Sequence, residues 1–172
     1  DTEIKKCRVP PMFFSTNRKI ETCSAPGNRV ETRGTNGLPS QKSEIMRVTV
    51  LGAGDAFSSG GRRQSGYLIE APGQGVLLDC GTTTLLGLKT LGIPAERIDM
   101  IAISHLHGDH FGGLSFLFLE YTYENPRTKP LLIIGPPGIE ERVRALHSAM
   151  YRELAARGTP FPLVFRECTP GQ

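Results

Sequence analysis

The chain has 172 residues, 20 Lys+Arg against 17 Asp+Glu, and 38% hydrophobic residues, enough apolar material for one core and too little for two full domains. Collagen, coiled coil and wholly disordered chains are excluded, and 20 Gly with 13 Pro point to short elements joined by many turns rather than a helical bundle. The charge is uneven: residues 1–44 hold eight Lys/Arg and five Asp/Glu, hence the whole +3, while residues 45–172 hold twelve of each and make no obvious polyanion binder.

Residues 1–44 show no sustained period of 2 or 3.6 and are rich in Arg, Lys, Thr, Ser, Asn, Gly and Pro, so they read as a flexible leader. Met12, Phe13 and Phe14 are followed by polar residues and form no signal-peptide core. At Met46 the pattern changes to Met-Arg-Val-Thr-Val-Leu-Gly, a strand with Val48 and Val50 on one side, and Met46 is a candidate natural start. A glycine-rich loop follows over 52–61, then strands over 65–70 and 76–80 joined by a Pro-Gly hairpin turn. A helix is expected over 82–91 and a buried strand over 98–103; then a helix over 114–121, a strand over 131–134, a long helix over 139–156 and a last strand over 161–165. Strands alternating with helices argue for an α/β layered architecture. The chain stops abruptly after that last strand.

No apolar run reaches the roughly 18 residues needed to cross a bilayer, so no membrane partner is expected. Cys7, Cys23, Cys80 and Cys168 stand 16, 57 and 88 positions apart with no Cys-x-x-Cys, which reads as free thiols in a reducing, cytoplasmic setting.

The chemistry concentrates in Ser104-His105-Leu106-His107-Gly108-Asp109-His110, three of the four histidines and a carboxylate directly after an apolar strand. At a strand end His105 and His107 project to the same side and reach one ion. Gly108 then lets the backbone bend, returning Asp109 and His110 to a neighbouring point, an arrangement that suits two metals. Imidazole and carboxylate without thiolate suit Zn²⁺, Mn²⁺ or Fe²⁺ in a catalytic site with open positions. Two such ions about 3.5–4 Å apart hold a bridging hydroxide and stabilise the oxyanion formed when it attacks an ester. The competing reading is a surface cluster, or buried histidines satisfied by backbone groups.

His105-Leu106-His107-Gly108-Asp109-His110 resembles the His-x-His-x-Asp-His signature of the metallo-β-lactamase fold. Leu77-Leu78-Asp79-Cys80-Gly81 resembles its strand-ending Asp and Gly, and Gly112-Gly113-Leu114 its helix entry. The likeness runs from about Met46 onward and looks most like the tRNA 3′-processing ribonucleases (ribonuclease Z-like) and related phosphodiesterases and arylsulfatases. It implies an αββα sandwich of which 45–172 is the N-terminal half. It also implies that His105 and His107 bind one metal while Asp109 and His110 bind the second, with Asp109 steering the attacking hydroxide or its proton. Asp79 would orient a ligand histidine, or else simply end a strand. Gly112 and Gly113 would open a helix toward the site, or form a plain turn.

The resemblance also implies a third histidine for the first metal, a bridging Asp and a last histidine. His147 lies in a helical stretch on the outside of the sheet and comes too soon, and no Asp follows Asp109. These absences suggest an N-terminal fragment, with two further His and an Asp beyond Gln172. Gly52-x-Gly54-x-x-Phe57 lacks the third glycine of a dinucleotide loop; by resemblance it is the cleft rim, where Asp55, Ser58 and Ser59 touch substrate. Arg62-Arg63 either pairs with a phosphate or is merely solvated. Phe111, Phe116, Phe118, Tyr121 and Tyr123 pack a core or shape a pocket at the rim. The expected function is metal-dependent hydrolysis of a small ester or phosphodiester. RNA is a partner that the charge does not support, and a homodimer stays open. The alternative is a catalytically incomplete metal-binding or partner-binding module.

Overall fold

The computed structural model describes residues 45–169 and 171, and the expected leader 1–44 lies outside them. Six strands form one sheet in chain order: β1 Arg47–Gly52, β2 Gly66–Ala71, β3 Gln74–Leu78, β4 Met100–Ala102, β5 Leu131–Gly135 and β6 Leu163–Glu167. β1 to β3 make an antiparallel meander, in which Pro72-Gly73 turns the second hairpin with Ala71 paired to Gln74. β3 to β6 are parallel, and their crossovers carry the helices α1 Thr84–Thr90, α2 Gly108–Phe111, α3 Leu114–Leu119, α4 Ile139–Met150 and α5 Arg152–Arg157.

One row of side chains explains where the core lies. Leu68, Leu77, Ile101 and Ile133 are register partners across four strands, and all are fully buried under Leu88 of α1, Leu114, Leu117 and Phe118 of α3, and Val143 of α4. Their neighbours in sequence point to the opposite face by the two-residue period of a strand. There Ile69, Val76, Leu132 and Ile134 are half-buried, and Val50 and Val164 are 52% and 41% exposed. Parallel strands with apolar residues on both sides belong to sheets covered on both faces. Val48 and Val50 therefore do share a side, but the buried side of β1 is that of Leu51.

Four elements depart from expectation, one being the last strand, expected over 161–165 and found over Leu163–Glu167. The strand expected over 98–103 pairs only over Met100–Ala102, although Ile98 and Ile103 are still buried. The helix expected to end at 121 passes into a π-turn over Glu120–Glu124, whose i+5 bond runs from Asn125 N–H to Glu120 O at 2.9 Å. There the buried Glu120 carboxylate accepts from Lys89 and from Asn125 Nδ2. The helix expected over 139–156 breaks at Tyr151 (φ −141°, ψ 65°), a residue whose ordinary propensity marks no break. Of the aromatic residues, Phe111, Phe118 and Tyr121 are core, Phe116 is half-buried and Tyr123 is 61% exposed. Among the described residues no helix is long and apolar enough to cross a membrane.

Candidate metal centre

Because β1, β3, β4 and β5 point the same way, the loops leaving their C-terminal ends meet at one sheet edge. His105, His107, Asp109 and His110 lie there. The His105 ring centroid is 4.7 Å from that of His107 and 4.0 Å from that of His110. The route differs from the one expected. β4 ends at Ala102, so strand alternation does not place the histidines; an extended segment does, with His107 at φ −88° and ψ 149° as N-cap of α2. Gly108 is not where the chain needs glycine: it starts α2 without a positive φ, and an added Cβ would meet nothing within 4 Å.

The need for glycine falls one turn away. A Cβ on Gly113 would sit 2.0 Å from the Gly81 carbonyl oxygen, and one on Gly81 2.1 Å from that of Asp109. This close approach lets the loop after β3 bond directly to the motif: Cys80 N–H donates to His110 O at 2.6 Å and Gly113 N–H to Cys80 O at 2.8 Å. The Gly112-Gly113 pair thus clamps two loops, and the helix it opens, α3, follows a separate short helix built from the motif itself.

Asp79 is the group around which the motif is ordered. It adopts a left-handed backbone, φ 57°, which Asp tolerates better than most residues, and its N–H donates to Ala102 O at 2.9 Å. Its Oδ1 accepts the Ser104 N–H at 2.8 Å; its Oδ2 lies 2.9 Å from Ser104 Oγ and 2.7 Å from His110 Nδ1. Sequence reading gave Ser104 no role; the only signal was a hydroxyl residue immediately before a cluster of candidate ligands. A carboxylate only accepts, so His110 Nδ1 carries a proton and Nε2 is the free nitrogen. That nitrogen lies 3.2 Å from Asp109 Oδ2. A ring nitrogen and a carboxylate oxygen thus border one small space, a donor pair that a metal ion would suit.

Among the described residues no three His, Cys, Asp or Glu side chains converge on one point where an ion would touch all of them. The donors are gathered, and two of the rings have outer partners, Ser104 for His105 and Asp79 for His110. Cys80 stays out of it: burial, then the neighbouring Asp79 charge, push its thiol up to about 12.

The family model described as Anti-Pycsar protein Apyc1 matches residues 46–154. The chain belongs to this family. It is similar to the ribonuclease Z of Mycolicibacterium gilvum (strain PYR-GCK), 32% identical over 136 residues, covering 74% of this chain and 48% of that protein. It is likewise similar to the ribonuclease Z of Lachnoclostridium phytofermentans, 34% identical over 128 residues, covering 74% of this chain and 40% of that protein. The crystal structure of human tRNase Z, short form (ELAC1), aligns with TM-score 0.60 and 33% identity over 74% of this chain and 48% of its own. The metallo-β-lactamase fold protein YhfI from Bacillus subtilis aligns with TM-score 0.55 and 26% identity over 74% and 46%. The chain spans about half or less of these relatives. Its fold is the first half of the αββα metallo-β-lactamase sandwich, in the ribonuclease Z-like branch.

In this Apyc1-family chain the rim loop after β1 is held by its own polar groups. Asp55 Oδ1 accepts from Ser59 N–H at 2.9 Å and Phe57 N–H at 3.2 Å. These bonds, those to Ser59 foremost, hold its carboxyl below the usual range. The exposed Asp55 carboxylate thus helps to fold its own loop, with Phe57 88% exposed at the tip. Arg63 Nε donates to Leu51 O at 2.7 Å and so braces the end of β1, while Arg62 Nε donates to Ser59 O within the loop. Gln64, also missed by the sequence reading, joins the rim to the loop after β3 by accepting from Thr82 Oγ1 at 3.0 Å. His147 lies away from the motif, buried in α4 against Phe118 and Tyr151, and lines a cavity of about 570 Å³ between α4, α5 and β6.

Proposed function

We propose that this chain carries the metal-binding half of a phosphodiester hydrolase. The observation that carries the reading is the Asp79–His110–Asp109 line, in which one carboxylate fixes an imidazole tautomer and turns its bare nitrogen onto a second carboxylate. Metal-ligating histidines are held by partners of this kind. His105 and His107 would hold one ion, Asp109 and His110 the other, with zinc the first choice and manganese or iron compatible with the same donors. Such ions would supply an acidified water and positive charge against the charge developing on the phosphate. Asp109, beside that point, directs the nucleophile and receives its proton. The exposed rim around Phe57 and Arg62 borders the substrate.

The neutral charge balance of residues 45–172 supports a small phosphodiester over a long RNA, whose binding would call for clustered Lys and Arg. Residues 1–44 would be a leader to this half-domain, and the cysteine spacing, without a Cys-x-x-Cys, favours a cytoplasmic setting. The test is metal content together with hydrolysis of bis(p-nitrophenyl) phosphate, by this chain and by a longer gene product, each compared with its His107→Ala variant. Turnover that survives the substitution rejects the reading.

A second reading is a metal- or partner-binding module without turnover. It is favoured by the absence, among the described residues, of three such side chains converging on one point. Zinc binding with no hydrolysis, by this chain and by any longer product alike, is the result it expects.

A further inference from the structure

We propose that Ser104 is a positioning residue that ties His105 to the same carboxylate that holds His110, so that Asp79 sets the tautomer of one ring in each proposed metal site. The inference rests on the metal-hydrolase reading and goes beyond it in assigning one outer group to two ions.

The assignment follows from counting protons. Ser104 Oγ lies 2.9 Å from Asp79 Oδ2 and 3.0 Å from His105 Nδ1. The hydroxyl has one hydrogen, and an ionised carboxylate offers none, so that hydrogen goes to Asp79. The hydroxyl oxygen is then an acceptor toward His105, whose Nδ1 must carry the proton. His110 Nδ1, 2.7 Å from the same Oδ2, is protonated for the same reason. Both rings therefore present bare Nε2 atoms, the form a metal ion takes up.

The geometry is locked at both ends. Ser104 is held by its own N–H on Asp79 Oδ1 at 2.8 Å, and the preceding residue by Ile103 N–H on Ile134 O at 2.8 Å. Asp79 is held by its bond to Ala102 O and by a left-handed φ that aims its carboxylate past the end of β4. Three bonds thus converge on one side chain from a backbone amide, a hydroxyl and an imidazole. Loss of the hydroxyl releases His105 alone, whereas loss of the carboxylate releases both rings.

Ser104→Ala, Ser104→Thr and Asp79→Asn separate these effects. Long-range ¹H–¹⁵N spectra of the metal-free chain at about pH 8, where free imidazoles are neutral, report which nitrogen of each ring is protonated. In the unsubstituted chain His105 and His110 should both be protonated at Nδ1. Ser104→Ala should shift His105 toward Nε2 protonation and leave His110 unchanged, Ser104→Thr should restore His105, and Asp79→Asn should disturb both.

Zinc affinity, measured by competition with a chelating dye, should fall roughly 10- to 100-fold in Ser104→Ala, the loss usual for an outer partner, and recover in Ser104→Thr. Ser104 is exposed, so the variants should fold. An unchanged His105 tautomer in Ser104→Ala, or zinc affinity equal to that of the unsubstituted chain, overturns the proposal. If the unsubstituted chain and the longer gene product both bind no zinc while the tautomers respond as described, the metal reading fails and the positioning role stands.

Discussion

Gly113→Ala tests whether the two loops at the candidate metal centre are clamped by backbone proximity. The new Cβ would lie 2.0 Å from Gly81 O and 2.9 Å from Cys80 O, both backbone atoms that cannot rotate away. Carbon and carbonyl oxygen normally approach to about 3.3 Å, so the loops must part by about 1 Å. That movement stretches the bonds from Gly113 N–H to Cys80 O and from Cys80 N–H to His110 O, now 2.8 and 2.6 Å. Two such bonds contribute about 1 kcal/mol each, and overpacking costs a further 1–3 kcal/mol. The expected loss is about 3–5 kcal/mol, a large part of the 5–15 kcal/mol typical of a domain, and the thermal midpoint should fall by roughly 10–20 °C. Gly108→Ala is the control. It meets nothing within 4 Å and needs no positive φ, so at the start of α2 it should change stability by no more than about 0.5 kcal/mol, in the stabilising direction. Urea unfolding of both variants supplies the numbers. A Gly113→Ala protein within about 0.5 kcal/mol of the parent, or a Gly108→Ala protein damaged as badly, refutes the clamp.

Three further outcomes follow from other parts of the fold. Tyr121→Phe removes a fully buried hydroxyl that donates to Ala95 O at 2.7 Å; since that oxygen keeps the Ile98 N–H, the loss in chemical unfolding should be about 1 kcal/mol, and a loss above about 3 kcal/mol would contradict it. Burial holds the His147 imidazole below its ordinary value, so the unfolded chain takes up the proton first. Its contribution is complete above the unfolded value and is lost as pH falls through it toward the folded one; the parent should lose stability relative to His147→Gln over that interval, and parallel pH profiles would show the burial to be inconsequential. Val50→Lys with Val164→Lys, at positions 52% and 41% exposed on the open sheet face, should reduce self-association of this chain in analytical ultracentrifugation at little cost in stability. The same pair should destabilise a longer product in which a second half covers that face.

The strands, the helix-covered core and the ligand cluster were legible in the sequence because each is written in a local pattern. Apolar runs such as 76–78 and 131–134 mark parallel strands, and three histidines within six residues need no tertiary information to be noticed. What escaped was set by contacts between distant segments. Gly108 looked like the hinge because it interrupts the motif, yet the glycine under steric demand is Gly113, and that demand comes from carbonyls more than 30 positions earlier. The role of Asp55 in closing its own loop, through Oδ1, depends on backbone N–H groups that local patterns do not place. Tyr151 breaks a helix that every local preference would continue.

The same distinction bears on how the centre gains its chemistry. The residues expected to touch ions are contiguous over 105–110, whereas the residue that orders them, Asp79, lies 31 positions before His110 and arrives through the pairing of β3 with β4. That parallel register sets Leu78 beside Ala102, so the next residue of β3 emerges level with the start of the motif. A one-residue slip would turn the Asp79 carboxylate to the other side of the sheet and move Leu77 out of the core. Burial of the Leu68, Leu77, Ile101 and Ile133 row therefore enforces the position of Asp79 as well. The apolar packing that stabilises the half-domain and the alignment of its imidazoles are consequences of a single strand register, and a variant that shifts that register should lose both together.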